Sequence, residues 1–195
     1  MVHTKCVIPD QPEALRRALA ELSNTCDVVV STGGISAGDS DWIRALVSEL
    51  GQVNFWKLFL KPGRPFAFGH INNQRGGVPF FGLPGNPVAA AITALQLLWP
   101  ALQLLEGQQE PEFFPRVKVK LANALSRRPG RPELARARLE VNASGELMAR
   151  VSDSQASSRI GSLVQSDLLL EIPAQTGGLE AGESLWAQLM RARLL

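Results

Sequence analysis

The chain has 195 residues, 20 Lys plus Arg against 18 Asp plus Glu, and 45% apolar residues, a composition that excludes a disordered polymer and supplies a sizeable core. A formal net charge of +2 with both signs mixed excludes the polybasic surface needed for bulk binding to nucleic acid or an acidic membrane, so any anion site is local. Two cysteines, Cys6 and Cys26, are too few for a disulfide framework, and the opening MVHTKCVIPDQPEALRR lacks the apolar stretch of a signal peptide, so the cytoplasm is the expected compartment.

Leu15, Ala18, Leu19 and Leu22 recur at helical spacing and predict a helix from Pro12 to about Ser23, with Asp10 as its cap. Val28, Val29 and Val30 form a short β-branched run that predicts a buried strand, ending in the glycine loop after Ser31. A second helix follows, capped by Asp39 or Asp41, with Trp42, Ile43, Leu46, Val47 and Leu50 as its apolar face and Gly51 as its C′ stop. The next strand is predicted over Val53 to Leu60, with extended chain from Pro65 to Gly69, a turn over Asn72 to Gly77 and a buried strand from Val78 to Leu83. Pro87 opens a core helix running to Leu105, where Thr93, Gln96, Pro100 and Gln103 argue against a membrane span.

Beyond Gly107 the texture changes to short strand-like runs between Gly and Ser turns, which places a domain boundary at 110/111. Strands are predicted at Arg116 to Leu121, Leu134 to Val141, Glu146 to Val151, Asp167 to Ile172 and Ser184 to Met190, with a hairpin over Asn142 to Gly145. The expected architecture is an α/β domain over residues 1–110 and a small all-β barrel over 111–195. Residues 1–110 carry 8 basic and 9 acidic side chains and the remainder 12 and 9, so the barrel is mildly basic. Two histidines, His3 and His70, are too few to suggest a zinc site; His70 is assigned to a turn, Cys6 to the surface and Trp186 to the core.

Three segments can carry chemistry. STGGISAGDSD (31–41) follows a strand, and Gly33, Gly34 and Gly38 let backbone amides approach a phosphate. Its acids Asp39 and Asp41 suit a Mg²⁺ or a polarised nucleophile, or simply cap the next helix. WKLFLKPGRP (56–65) gathers Lys57, Lys61 and Arg64 around a proline bend, with the two lysines sharing strand parity. A clamp for an oxyanion and an edge strand blunted by lysines are both compatible with that segment. FFGLPGNP (80–87) defines one rigid backbone path before a helix, as a preorganised donor loop or as a structural stop.

In this order the segments resemble the GGVSxGDxD, WK-x-x-x-KPGKP-x-x-FG and GLPGNPVS motifs of the molybdopterin molybdenumtransferases, the MoeA and gephyrin E-domain family. The resemblance continues through RRPGRPELARARLE and DSQASSRIGSL. It implies a partial molybdopterin-binding, MogA-like three-layer domain followed by the barrel, corresponding to about the C-terminal half of the family pattern. The TGDE segment, the S-N-x-x segment and a first strand and helix are expected upstream of Met1. The implied reaction inserts molybdate into adenylated molybdopterin with Mg²⁺ and releases AMP. The resemblance makes Asp41 the essential carboxylate and metal ligand, with Asp39 and Lys57 as further catalytic residues. It assigns Gly33, Gly34, Ser36, Lys61, Arg64, Pro84, Gly85, Asn86, Pro87, Arg136 and Ser157 to the cofactor and molybdate. Arg64 replaces the commoner Lys, Ser40 a frequent aromatic and Ala37 a frequent Val. Implied partners are a second copy of the chain and the molybdopterin adenylyltransferase. The alternative readings are a non-catalytic scaffold module and an inactive fragment.

Overall fold

The computed structural model describes residues 6–35, 42–152, 155 and 160–191. The expected sites Ser36, Asp39, Asp41 and Ser157, and the proposed caps of the second helix, lie outside the described residues. By packing, the chain divides into two compact units: residues 1–58 with 63–94, and residues 59–62 with 95–195.

In the first unit α1 (Pro12–Thr25) and α2 (Trp42–Leu50) accompany a four-stranded sheet of β1 (Val29–Thr32), β2 (Gly51–Trp56), β3 (Ala67–Ile71) and β4 (Val78–Leu83) in the order β1-β4-β3-β2. Leu19 of α1 and Ile43, Leu46 and Val47 of α2 bury against Val29, Ala67, Ile71, Val78 and Phe80, which is how the helical apolar spacing is used. The opposite face of the sheet carries Phe68 and Phe81, cross-strand partners with ring centroids 5.0 Å apart. Arg16 of α1 and Glu49 of α2 pair through both carboxylate oxygens at the exposed rim.

Several expectations need correction. Asp10 does not cap α1; Gln11 occupies the N-cap position without a side-chain bond, and Pro12, whose missing N–H costs nothing there, starts the helix. Gly51 does not terminate α2 as a C′ residue but opens β2 directly. Glycine is required because a Cβ there would overlap the His70 carbonyl of β3. The sheet is mixed: β1 pairs parallel with β4, whereas β2 and β3 pair antiparallel, because the short links between β2 and β3 and between β3 and β4 leave no room for a crossover helix. β1 is therefore an edge, and Val30 is 43% exposed rather than buried. Trp42 is also exposed, and His70 lies in β3 rather than in a turn.

β2 ends at Trp56, not Leu60. Lys57 takes φ +90°, outside the range a strand uses, and its N–H donates to Phe66 O while Leu58 N–H donates to Arg64 O. The shared strand parity of Lys57 and Lys61 is thereby lost, and so is the reading of both as an edge-strand defence.

The helix from Pro87 is not one regular core helix. It comprises α3 (Pro87–Thr93), a π-helical stretch (Ala94–Leu98) and α4 (Trp99–Leu105). Pro100 cannot donate to the carbonyl of Gln96, and the ladder shifts register just before it. Val88, Ala89, Ile92 and Thr93 are buried, but Trp99, Leu102, Leu104 and Leu105 are exposed. The polar interruptions have partners: Gln96 and Gln188 exchange side-chain amide bonds of 2.7 and 3.2 Å, and Gln103 bonds both backbone groups of Glu112.

The second unit is a closed barrel of β5 (Arg116–Leu121), β6 (Glu133–Val141), β7 (Leu147–Val151), β8 (Leu168–Ile172) and β9 (Ser184–Leu189), in the order β5-β7-β6-β8-β9. The β5–β7 pair is parallel and the rest antiparallel. Inward residues Val119, Leu121, Ala135, Ala137, Ala149, Val151, Leu168, Leu170, Ile172 and Ala187 fill it. The β6–β7 hairpin turns where expected, with Asn142 Oδ1 accepting from Ser144 and Glu146 N–H and Gly145 at φ +80°. A short helix α5 (Ile160–Val164) precedes β8. Trp186 is not in the core; it is 46% exposed, with the Arg116 guanidinium 4.9 Å from its ring centroid.

Candidate functional site

β1 and β4 are parallel neighbours, so their carboxyl ends deliver two glycine loops to the same edge of the sheet. Gly33 N–H donates to Leu83 O at 3.0 Å, joining the STGG loop to the GLPGNP loop. Behind that bond the chains nearly touch: a Cβ on Gly85 would lie 3.3 Å from Gly33 Cα. Gly33 and Gly34 hold φ +81° and +66°, where glycine carries no steric penalty. Pro84 is buried, whereas Gly85 and Pro87 are exposed and Asn86 is half-buried. The structure thus brings Gly33, Gly34, Pro84, Gly85, Asn86 and Pro87 together.

Asn86 has a local task as well. Its Oδ1 accepts from Ala89 N–H at 3.4 Å and its carbonyl accepts from Ala90 N–H, so it caps α3. Since Pro87 has no N–H, the Val88 amide is the first-turn donor outside the cap. Ser31, the third residue of β1, has a buried hydroxyl oxygen with no hydrogen-bond partner among the described residues.

The basic segment divides between the units. Lys57 and Arg64 belong to the first, both exposed, with the Lys57 backbone in the left-handed region. A non-glycine residue there is strained by about 1–3 kcal/mol, which a glycine would relieve. Gly63 packs on buried Thr93 of α3 at φ +114° and fixes the bend from below.

Lys61 and Arg136 belong to the second unit. The Lys61 ammonium lies 2.9 Å from Glu133 Oε1, and Arg127 Nε lies 3.4 Å from Glu133 Oε2. Arg136, on β6, is 1% exposed; burial pushes its guanidinium pKa down, and the nearby Glu133 carboxylate opposes that shift. Gln155 brackets its backbone, accepting from Arg136 N–H at 3.0 Å and donating to Arg136 O at 2.9 Å. Sequence reasoning missed Glu133, Arg127, Gln155 and Ser31; the one available signal was the buried-strand start PELARA immediately after a run of arginines.

The Mg²⁺ expected from the resemblance does not find a site among the described residues, where no three His, Cys, Asp or Glu side chains cluster. No step is assigned to it.

The architecture is a mixed α/β sheet with paired glycine turns at its carboxyl edge, followed along the chain by a closed five-stranded barrel, the class of an α/β ligand-binding domain with a C-terminal barrel. Residues 1–104 match the family described as "Probable molybdopterin binding domain", and residues 118–189 match "MoeA C-terminal region (domain IV)". The chain belongs to this MoeA family. It is 32% identical over 92% of its length to a molybdopterin molybdenumtransferase of Haemophilus influenzae, covering 43% of that protein. It is 36% identical over 97% of its length to the molybdenum cofactor synthesis protein cinnamon of Drosophila melanogaster, covering 31% of it. A crystal structure of a molybdopterin biosynthesis MoeA protein from Pyrococcus horikoshii superposes with a TM-score of 0.75 and 25% identity, over 96% of this chain and 43% of that one. The chain spans less than half the length of these relatives.

Proposed function

We propose that the chain acts in molybdenum cofactor biosynthesis, binding adenylated molybdopterin and serving the insertion of molybdate with release of AMP. The observation that carries this reading is the bond from Gly33 to Leu83, which sets the Gly33-Gly34 turn beside the GLPGNP loop where an α/β sheet binds anionic ligands. In the reaction, the two dithiolene thiols bond to molybdenum through sulfur, and their two protons leave with one molybdate oxygen as a single water while the other three oxygens stay on the metal. The phosphoanhydride breaks toward AMP, and a water oxygen completes the pterin phosphate.

Lys57, Lys61, Arg64 and Arg136 are the cations this reading assigns to phosphate and molybdate oxygens, where fixed positive donors stabilise charge that grows on the leaving phosphate. Gly33, Gly34, Pro84, Gly85, Asn86 and Pro87 give the pterin phosphate a rigid backbone wall, and Ser36 and Ser157 join them on sequence grounds. Asp41, with Asp39 beside it, is the acid the reading places at the phosphoanhydride, and it is the position assigned to Mg²⁺. A cytoplasmic homodimer that receives its substrate from the adenylyltransferase completes the proposal.

The test is isothermal titration of the full chain with adenylated molybdopterin, repeated on Asp41→Ala and Lys61→Ala. The reading expects micromolar-range binding, of order −8 kcal/mol, that both substitutions weaken. Absence of binding by the folded wild type refutes it. Full affinity with undiminished turnover in Asp41→Ala refutes the assignment of the acid.

A further inference from the structure

We propose that Glu133 is a positioning residue that holds the Lys61 ammonium in the orientation in which it meets the anionic ligand. The inference rests on the reading of Lys61 as a ligand donor. Glu133 opens β6 and is 5% exposed, so its carboxylate is removed from water and has to be met by fixed partners. Its two oxygens are shared out: Oε2 lies toward Arg127 and Oε1 toward Lys61.

The two cations differ in what else they do. The Arg127 side chain is as buried as Glu133, and three of its four other donors go to the carbonyls of Pro173, Thr176 and Arg131. Arg127 is therefore consumed in holding chain segments together. The Lys61 side chain is half exposed, and Glu133 takes one of the three donors of its ammonium. Among the described residues Glu133 is the one partner of that ammonium, which leaves its other donors for a ligand.

The backbone around the pair is fixed from both sides. Lys61 N–H donates to Pro132 O at 2.9 Å, and Leu134 N–H donates to Lys61 O at 2.8 Å, so the residues flanking Glu133 grip Lys61 in a parallel bridge. Arg131 Nη1 donates to Leu60 O at 2.9 Å and ties down the preceding residue. A lysine side chain otherwise samples many rotamers, and here both its root and its tip are located. One carboxylate among Lys61, Arg127 and Arg136 also leaves the group cationic, so positioning does not cancel attraction for an anion.

The test is a double-mutant cycle on molybdopterin affinity, measured by anaerobic titration of the full chain with Glu133→Gln, Lys61→Met and the double variant, with urea unfolding of each run alongside. Lys61→Met is expected to weaken binding about tenfold, Glu133→Gln to weaken it severalfold, and the double variant to match Lys61→Met within about twofold. Where Glu133→Gln does not fold, Glu133→Asp carries the same cycle, since it keeps the charge for Arg127 and shortens the reach to Lys61 by one methylene. A purely structural Glu133 would lower stability without coupling to Lys61 in affinity. Effects that multiply in the double variant, or tighter binding by Glu133→Gln, overturn the inference and leave the role of Lys61 intact. Unchanged binding by Lys61→Met, or none by the wild type, overturns the reading of Lys61 and the inference with it.

Discussion

Gly63 and Thr93 offer the sharpest test of how the basic bend is seated. A methyl placed on Gly63 would lie 2.5 Å from Thr93 Cγ2, whereas carbon atoms in contact sit about 3.5–4.0 Å apart, an overlap of about 1 Å. Gly63 also holds φ +114°, which adds about 1–3 kcal/mol of backbone strain for an alanine. With about 1–3 kcal/mol for overpacking, Gly63→Ala is expected to lose about 2–6 kcal/mol. Thr93 is fully buried, and its Oγ1 donates to Ala89 O at 2.8 Å and Ala90 O at 3.1 Å. Thr93→Ser keeps those bonds, removes the offending methyl and costs about 1 kcal/mol for the lost burial. The double variant then retains the strain but sheds most of the overlap, so it should be more stable than the sum of the single effects predicts by about 1–2 kcal/mol. Urea denaturation at constant m measures all four proteins. Additivity within about 0.5 kcal/mol would show that the bend is not seated on Thr93 and refute the reasoning.

Gly85→Ala pushes a Cβ against the Gly33 backbone and is expected to cost about 1–3 kcal/mol in thermal unfolding. Gly33→Ala meets only an ordinary 3.8 Å contact, so its loss comes from φ +81°, and Gly33→Asn should recover part of it. The Lys120 hydrogen bond, followed by that from Asn142, holds the Glu146 carboxyl below its usual range. Because the folded-state value is the lower one, this contribution is present above the unfolded-state pKa and lost as pH falls through the folded-state pKa. An NMR titration of Lys120→Met should show the Glu146 midpoint move up; an unchanged midpoint contradicts the attribution. Gln155→Ala removes the side-chain bracket on Arg136, so hydrogen exchange at the Arg136 amide should accelerate while the Leu170 amide in the barrel core does not change.

The sequence carried much of this fold because its strong signals were local. The run Val78 to Leu83 and Pro87 at the end of the loop after it mark β4 and the start of α3 with matching bounds. The barrel strands fall within a residue or so of their alternating runs, since inward and outward positions of a small barrel differ so sharply in solvent exposure. Failures came where a distant contact overrides the pattern. The alternation around Lys57 continues past Trp56, yet the chain turns there because Phe66 and Arg64 return to accept its amides. Trp186 looked like core by type, but its strand register turns it outward beside Arg116. In the candidate site the glycine and proline positions were legible as motifs. Glu133 was not, because nothing near it in sequence announces that Lys61, some seventy residues earlier, returns to pair with it.

The two rims of the four-stranded sheet are guarded unequally. β2 is broken by a register shift between Val53 and Phe55 and exposes Gln52 and Asn54, features that discourage another strand from adding to it. β1, Val-Val-Ser-Thr, contains neither a charge nor a proline and leaves Val30 open. With a net charge of only +2, long-range repulsion between copies is weak. β1 is thus the less protected of the two rims. Of the two rims it is the one along which a further strand would pair, and a charge in place of Val30 is the change that would discourage such pairing.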